Sequence, residues 1–165
     1  MSFFYGDEDS MRAGRRPLLI FVLATLAVGT AASLFSQPAI PRWYAGLIHP
    51  AFAPPGWIFA PVWTALYVLM AAAAWRVWRR TGTRSIEMAT YAIQLALNFC
   101  WSWILFGMHR TGAAFSEIVI LDLAILATTV LFFRRDRLAG LMFLPYLFAT
   151  LFAAFLTHAL SVLNP

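Results

Sequence analysis

Five long apolar blocks, at 17–36, 57–78, 86–107, 113–133 and 138–163, leave this chain few ways to fold. Each is close to the ~20 residues that a bilayer's hydrocarbon core demands of a helix. They are continuously apolar, whereas strands of a membrane barrel alternate over about ten residues. Backbone groups in lipid have no water to bond, so blocks of this kind satisfy themselves as helices. Composition closes the soluble alternative. Hydrophobic residues make up 62% of the chain and charged ones 12%, against about 25% charged in an ordinary soluble domain. That apolar surplus exceeds what one small core can hide. The chain reads as an all-α membrane protein: a single five-helix bundle over 17–165, preceded by a mobile tail over 1–16 that carries Asp7, Glu8 and Asp9.

The charges orient the bundle. All twelve basic residues are Arg, and they lie between the apolar blocks rather than in one stripe. A nucleic-acid partner would require the stripe. Ten of them, in the tail (Arg12, Arg15, Arg16), the second connection (Arg76, Arg79, Arg80, Arg84) and the fourth (Arg134, Arg135, Arg137), fall on one side. Only Arg42 and Arg110 fall on the other. By the positive-inside rule the N-terminus is expected in the cytoplasm and the C-terminus outside, in what reads as a bacterial inner membrane. A cleaved signal peptide is the rival reading of the first block, but its length exceeds the usual h-region of about 7–15 residues. The one cysteine, Cys100, sits inside an apolar run, which excludes a disulfide framework and a cysteine zinc site.

The first connection, 37–56, is the outlier. It carries five of the nine prolines (Pro38, Pro41, Pro50, Pro54, Pro55) together with Trp43, Tyr44 and Phe52, and Trp57 follows at once. Aromatic residues favour the membrane interface in any case. The prolines favour a ligand lid, because a preset loop loses less entropy on folding over a pocket.

A second signal is polar. Wound at 3.6 residues per turn, Tyr91, Gln94, Asn98, Trp101 and Ser102 fall within an arc of about 100°. Amides in a membrane face the bundle interior, as interhelical ties or as the wall of a cavity that hydrogen-bonds a flat ligand. Trp63, Tyr67 and Met70 form a matching stripe on the second helix, which by itself reads as packing. Glu117 and Asp122 lie about 140° apart on the fourth helix, so they do not make a one-faced carboxylate dyad. Asp122 is expected to be the deeper of the two, and His158 to hydrogen-bond between helices. No HExxH, P-loop or GxGxxG motif supports metal or nucleotide chemistry.

Taken together, these residues resemble a known family. Trp43-Tyr44, Pro50 and the run Pro54-Pro55-Gly56-Trp57-Ile58-Phe59-Ala60-Pro61-Val62-Trp63-Thr64 are similar to the signature of the TspO/translocator protein family, the tryptophan-rich sensory proteins. Gln94, Asn98 to Ser102, Leu105-Phe106-Gly107, Asp122, Ala139-Gly140, Pro145-Tyr146 and Leu163-Asn164 extend the likeness in order. The resemblance implies a five-helix bundle, commonly a homodimer, that needs no cofactor. It further implies binding of porphyrin (protoporphyrin IX), haem or isoquinoline-type drugs in a cavity beneath the first loop. Carried over by position, the lining would include Tyr44, Pro54, Trp63, Tyr67, Asn98, Trp101, Ala149 and Ala153.

Two positions depart from the family pattern. Ala149 stands where relatives usually have Trp, and Thr157 where many have Asn. The lost Trp is expected to enlarge one pocket wall and to weaken any light-dependent porphyrin breakdown. No basic residue follows Tyr146, so the cholesterol motif of mitochondrial members is not expected. The resulting expectation is a membrane receptor or regulator of tetrapyrrole homeostasis and stress, without catalytic residues. Its alternatives are a porphyrin-degrading enzyme and a small-molecule transporter.

Overall fold

A computed structural model describes residues 14–164, and the expectations for Arg12 and the acidic tail lie outside them. The described residues form five helices and no strand: α1 Arg15–Arg42, α2 Phe59–Thr81, α3 Ile86–Ser102, α4 Thr111–Arg135 and α5 Arg137–Leu163. All five are long and apolar enough to cross a membrane, counting the π-helical turn Trp103–Gly107 that prolongs α3.

Polarity is distributed as lipid requires. Leu19, Ile20, Leu23, Leu123, Phe148 and Phe155 are exposed on the outside of the bundle, while Gln94, Asn98, Asp122, Thr128 and Thr150 are buried within it. An aqueous protein would aggregate through such a surface. In a bilayer the exposed side chains cost nothing, and polar ones such as Gln94, Asn98 and Thr150 find partners inside.

Close approach, rather than hydrophobic drive, joins the helices. α2 offers a run of small residues, Ala71, Ala73 and Ala74, all fully buried. Gly140 of α5 lies directly against the Phe133 ring of α4, so closely that a Cβ there would collide with it. Phe143 meets Tyr91, Phe132 and Tyr146 edge to face in the middle of the bundle, with Phe132–Phe143 ring centroids 5.0 Å apart, while Tyr91 stacks on Phe132.

One end of the bundle is tied by charge. Asp136, the single residue between α4 and α5, caps α5 by accepting from the Leu138 and Ala139 amides at 2.9 and 3.3 Å. Its other oxygen meets Arg76 at 2.8 Å and Arg80 at 3.3 Å, both from α2. Arg80 also donates to the Arg135 carbonyl. Arg135 in turn pairs with Glu87 of α3 at 2.5 Å. Four helices thus meet in one ionic cluster at the arginine-rich end.

The first connection is shorter than the proline count predicts. α1 begins at Arg15, ahead of the expected start at 17, and runs through Pro38 and Pro41 to Arg42. Only 43–55 separates it from the 3-10 turn Gly56–Ile58 that leads into α2. Each proline removes one backbone bond and crowds the turn before it, and both sit in the last two turns. Twenty-eight residues make about 42 Å of helix, longer than a bilayer core of about 30 Å. The helix is therefore longer than the hydrocarbon it has to cross.

Candidate ligand-binding site

The stripe of α2 and the polar arc of α3 face one another and are hydrogen-bonded together. Tyr67 donates to Asn98 Oδ1 at 2.5 Å, Asn98 Nδ2 donates to Tyr146 at 3.2 Å, and Tyr146 donates to Gln94 Oε1 at 3.0 Å. Two amides and two phenols thereby join α2, α3 and α5. Met70, one turn beyond Tyr67, is fully buried packing. Tyr91, the first residue of the arc, points to α1: its hydroxyl lies 2.6 Å from Thr25 Oγ1. Since the Thr25 proton goes to the Phe21 carbonyl at 2.8 Å, Tyr91 is the donor in that pair.

On the other side of this wall, between α1, α2 and α3, lies a cavity of about 560 Å³. Its aromatic side is Trp63, Tyr67 and Trp101; the two indoles are 6.3 Å apart and inclined by 31°. Asn98 and Ser102 of α3 supply polar groups at the same wall. The facing wall is a stripe of α1, Gly29, Thr30, Ser33, Ser36 and Gln37, spaced at three and four residues. Small side chains on one helix opposite large rings on another leave an unfilled volume. A Cβ on Gly29 would run into the Tyr67 ring, so this glycine sets how near α1 comes.

Four of the eight residues expected at the site, Trp63, Tyr67, Asn98 and Trp101, line this cavity. The other four lie elsewhere. Tyr44 is buried against Leu156 and Leu160 of α5, edge-on to His49 at 4.6 Å. Pro54 is half-buried in the connection ahead of Gly56. Ala149 and Ala153 of α5 pack in the main core. Ala149 is therefore not a lining residue of this cavity.

The connection 43–55 is seated on α5 rather than over the cavity. Phe52 stacks on Phe155 at 5.0 Å. Asn164 accepts from the Ile48 amide at 2.9 Å and donates to the Ile48 carbonyl at 3.1 Å, closing a two-bond clasp. The lid reading is narrowed accordingly: the cavity rim is made by the residues flanking the loop, Ile40, Pro41, Gly56 and Trp57.

The remaining polar residues are dispersed. Asp122 is buried and Glu117 half-buried, and neither Glu117 oxygen nor Asp122 Oδ1 has a hydrogen-bond partner. The interhelical hydrogen bond expected of His158 is replaced by ring contact: its imidazole packs on Phe115 of α4 at 4.6 Å. Among the described residues, no three His, Cys, Asp or Glu side chains are grouped to hold a metal ion.

The contribution of α1 is what sequence reasoning missed. Its signal was the recurrence of Gly29, Ser33, Ser36 and Gln37 at helical spacing within an otherwise apolar block.

Residues 21–163 match the sequence model of the TspO/MBR family. Among individual proteins, the chain is similar to the tryptophan-rich protein TspO of Archaeoglobus fulgidus, 38% identical over 89% of this chain and 96% of that protein. It is also similar to protein CrtK of Rhodobacter capsulatus, 36% identical over 88% and 91% of the two chains. The human translocator protein is 35% identical over 79% of this chain and 80% of its own.

Proposed function

This chain belongs to the TspO/MBR family, and from that premise we propose that it is a membrane receptor or regulator that binds a porphyrin or haem between α1, α2 and α3. One observation carries the reading: an indole pair, Trp63 and Trp101, borders a cavity of about 560 Å³ beside the hydrogen-bonded Tyr67–Asn98 pair. That volume suits a small-molecule site, for which about 300–1,000 Å³ is usual. Aromatic faces stack on a flat macrocycle. Thr30, Ser33, Ser36 and Gln37 of α1 offer polar groups for its carboxylate edge.

The lining contains no His, Cys or Met, and the hydroxyl of its one tyrosine, Tyr67, is committed to Asn98, so ring contact rather than iron ligation selects the ligand. Metal-free protoporphyrin IX and haem then bind with similar strength, and flat isoquinoline-type drugs compete for the same rings. The lining also presents no carboxylate or imidazole to act as acid or base, which favours binding over porphyrin breakdown or any other catalysis. In this reading the arginine-rich end is cytoplasmic, the cavity rim lies toward the outer face of a bacterial inner membrane, and two copies associate.

Titration of the purified protein with protoporphyrin IX, followed by tryptophan quenching, tests the site. Trp63→Phe is expected to weaken binding by roughly three- to tenfold, the value of one good aromatic contact. Asn98→Ala, which frees the Tyr67 hydroxyl and disorders the wall, is expected to weaken it further. Unchanged affinity in both variants would remove the assignment.

A further inference from the structure

A second concavity lies at the opposite, arginine-rich end, outside the bundle and away from the α1–α2–α3 cavity. Val130, Phe133 and Arg134 share one face of the last turns of α4, and Arg137 and Leu141 share one face of the first turns of α5. Between them is a groove of about 530 Å³. Phe133, held against Gly140, forms part of its floor. Val130 and Leu141, 42% and 53% exposed, open that floor to the lipid-facing side of the bundle.

The two arginines at the mouth lie outside the ionic cluster beside them. Arg76 and Arg80 are committed to Asp136, and Arg135 to Glu87. Arg79 lies over the Trp75 ring at 4.8 Å. Among the described residues, Arg134 and Arg137 make no ion pair. The first amides of α5 are taken by Asp136, so the helix terminus itself offers no anion site. What remains is two guanidinium groups at the level where helices leave the hydrocarbon, above an apolar floor that continues toward the membrane interior.

We propose that this groove binds an anionic glycerophospholipid, its phosphate held between Arg134 and Arg137 and an acyl chain laid over Phe133, Val130 and Leu141. A guanidinium fork matches phosphate oxygens in shape as well as charge. Basic pockets between helices at this depth suit anionic headgroups. The apolar floor selects a lipid over free phosphate, and two guanidinium groups with no carboxylate partner among the described residues select an anionic over a zwitterionic headgroup.

Native mass spectrometry of the full chain in detergent, titrated with phosphatidylglycerol or with phosphatidylcholine of the same acyl chains, tests this. Phosphatidylglycerol is expected to be retained in preference. Arg134→Gln with Arg137→Gln is expected to weaken its retention by roughly thirtyfold, from the usual contribution of two basic residues at an anionic surface. Leu141→Trp fills the groove with both charges intact and is expected to weaken it as well. Arg79→Gln with Arg84→Gln, at the same end but outside the groove, is expected to leave retention within about threefold of the original, as diffuse surface charge would not. Equal retention of the two lipids overturns the proposal. So does equal loss in both arginine pairs, no loss in Leu141→Trp, or binding of glycerol 3-phosphate as strong as that of the lipid.

Discussion

α1 and α5 are nearly equal in length, 28 and 27 residues, and both are strongly apolar, yet they are held very differently. Three residues of α1 are buried, Thr25, Ala32 and Ala39, against eleven of α5. α5 interlocks Phe143, Tyr146 and Gly140 with its neighbours, whereas α1 presents a narrow stripe of small side chains to the Tyr67 ring. Lipid is as apolar as leucine, so hydrophobicity does not press either helix inward. Only interdigitation and hydrogen bonds do, and α1 has little of either. The cavity lies on the side where packing was left incomplete, and the well-packed side supports it from behind through Tyr146 and Asn98.

Breaking the α5 side is expected to cost most. Tyr146→Ala removes a fully buried ring and both of its hydrogen bonds to α3, a loss of about 3–5 kcal/mol for a large-to-small core change. Denaturant unfolding in micelles measures it; a loss below about 1 kcal/mol would show that α5 is not the better-held helix. Gly29→Val, on the α1 side, drives side-chain atoms into Tyr67, which its bond to Asn98 holds in place. Overpacking of this kind costs about 1–3 kcal/mol, and porphyrin affinity is expected to fall with it.

Thr25→Val sharpens the contrast by removing the hydrogen bond between α1 and Tyr91 of α3. The expected loss is about 0.6 kcal/mol, the usual value for such bonds in membrane bundles. A further effect is expected in acid. Burial raises the Asp136 carboxyl, but the Ala139 amide, the Arg76 and Arg80 guanidinium groups and the Leu138 amide outweigh it and hold the group below its ordinary value. Its stabilising contribution is therefore complete above the unfolded value of about 4 and is lost as pH falls through the lower folded value. Unfolding followed from pH 6 down to pH 2 is expected to show this decline in the original chain and a flatter profile in Asp136→Asn.

Much of the fold was legible because a bilayer imposes a length and a polarity that hydropathy reports directly. The π-helical turn at Trp103–Gly107 and the continuation of α1 through two prolines were not, since both depend on backbone bonds that residue types only bias. In the site, Trp63, Tyr67, Asn98 and Trp101 were legible from helical spacing together with family likeness. Tyr44 and Pro54 were placed by the lid reading of the first connection together with likeness, Ala149 and Ala153 by likeness alone, and the volume that opened is bounded by other residues.

Sequence alone determined the number of spans, the end at which arginine gathers, and the face of α3 that turns inward. These follow from transfer energies of single residues, which are local. Tertiary structure alone decided that Asn98 is shared between Tyr67 and Tyr146, that the first connection is clasped to Asn164 at the end of α5, and that a stripe of small residues on α1 faces the indoles across a gap. Each of these depends on how near two helices come and at what angle. That is set by the sum of all their contacts, which no single position records.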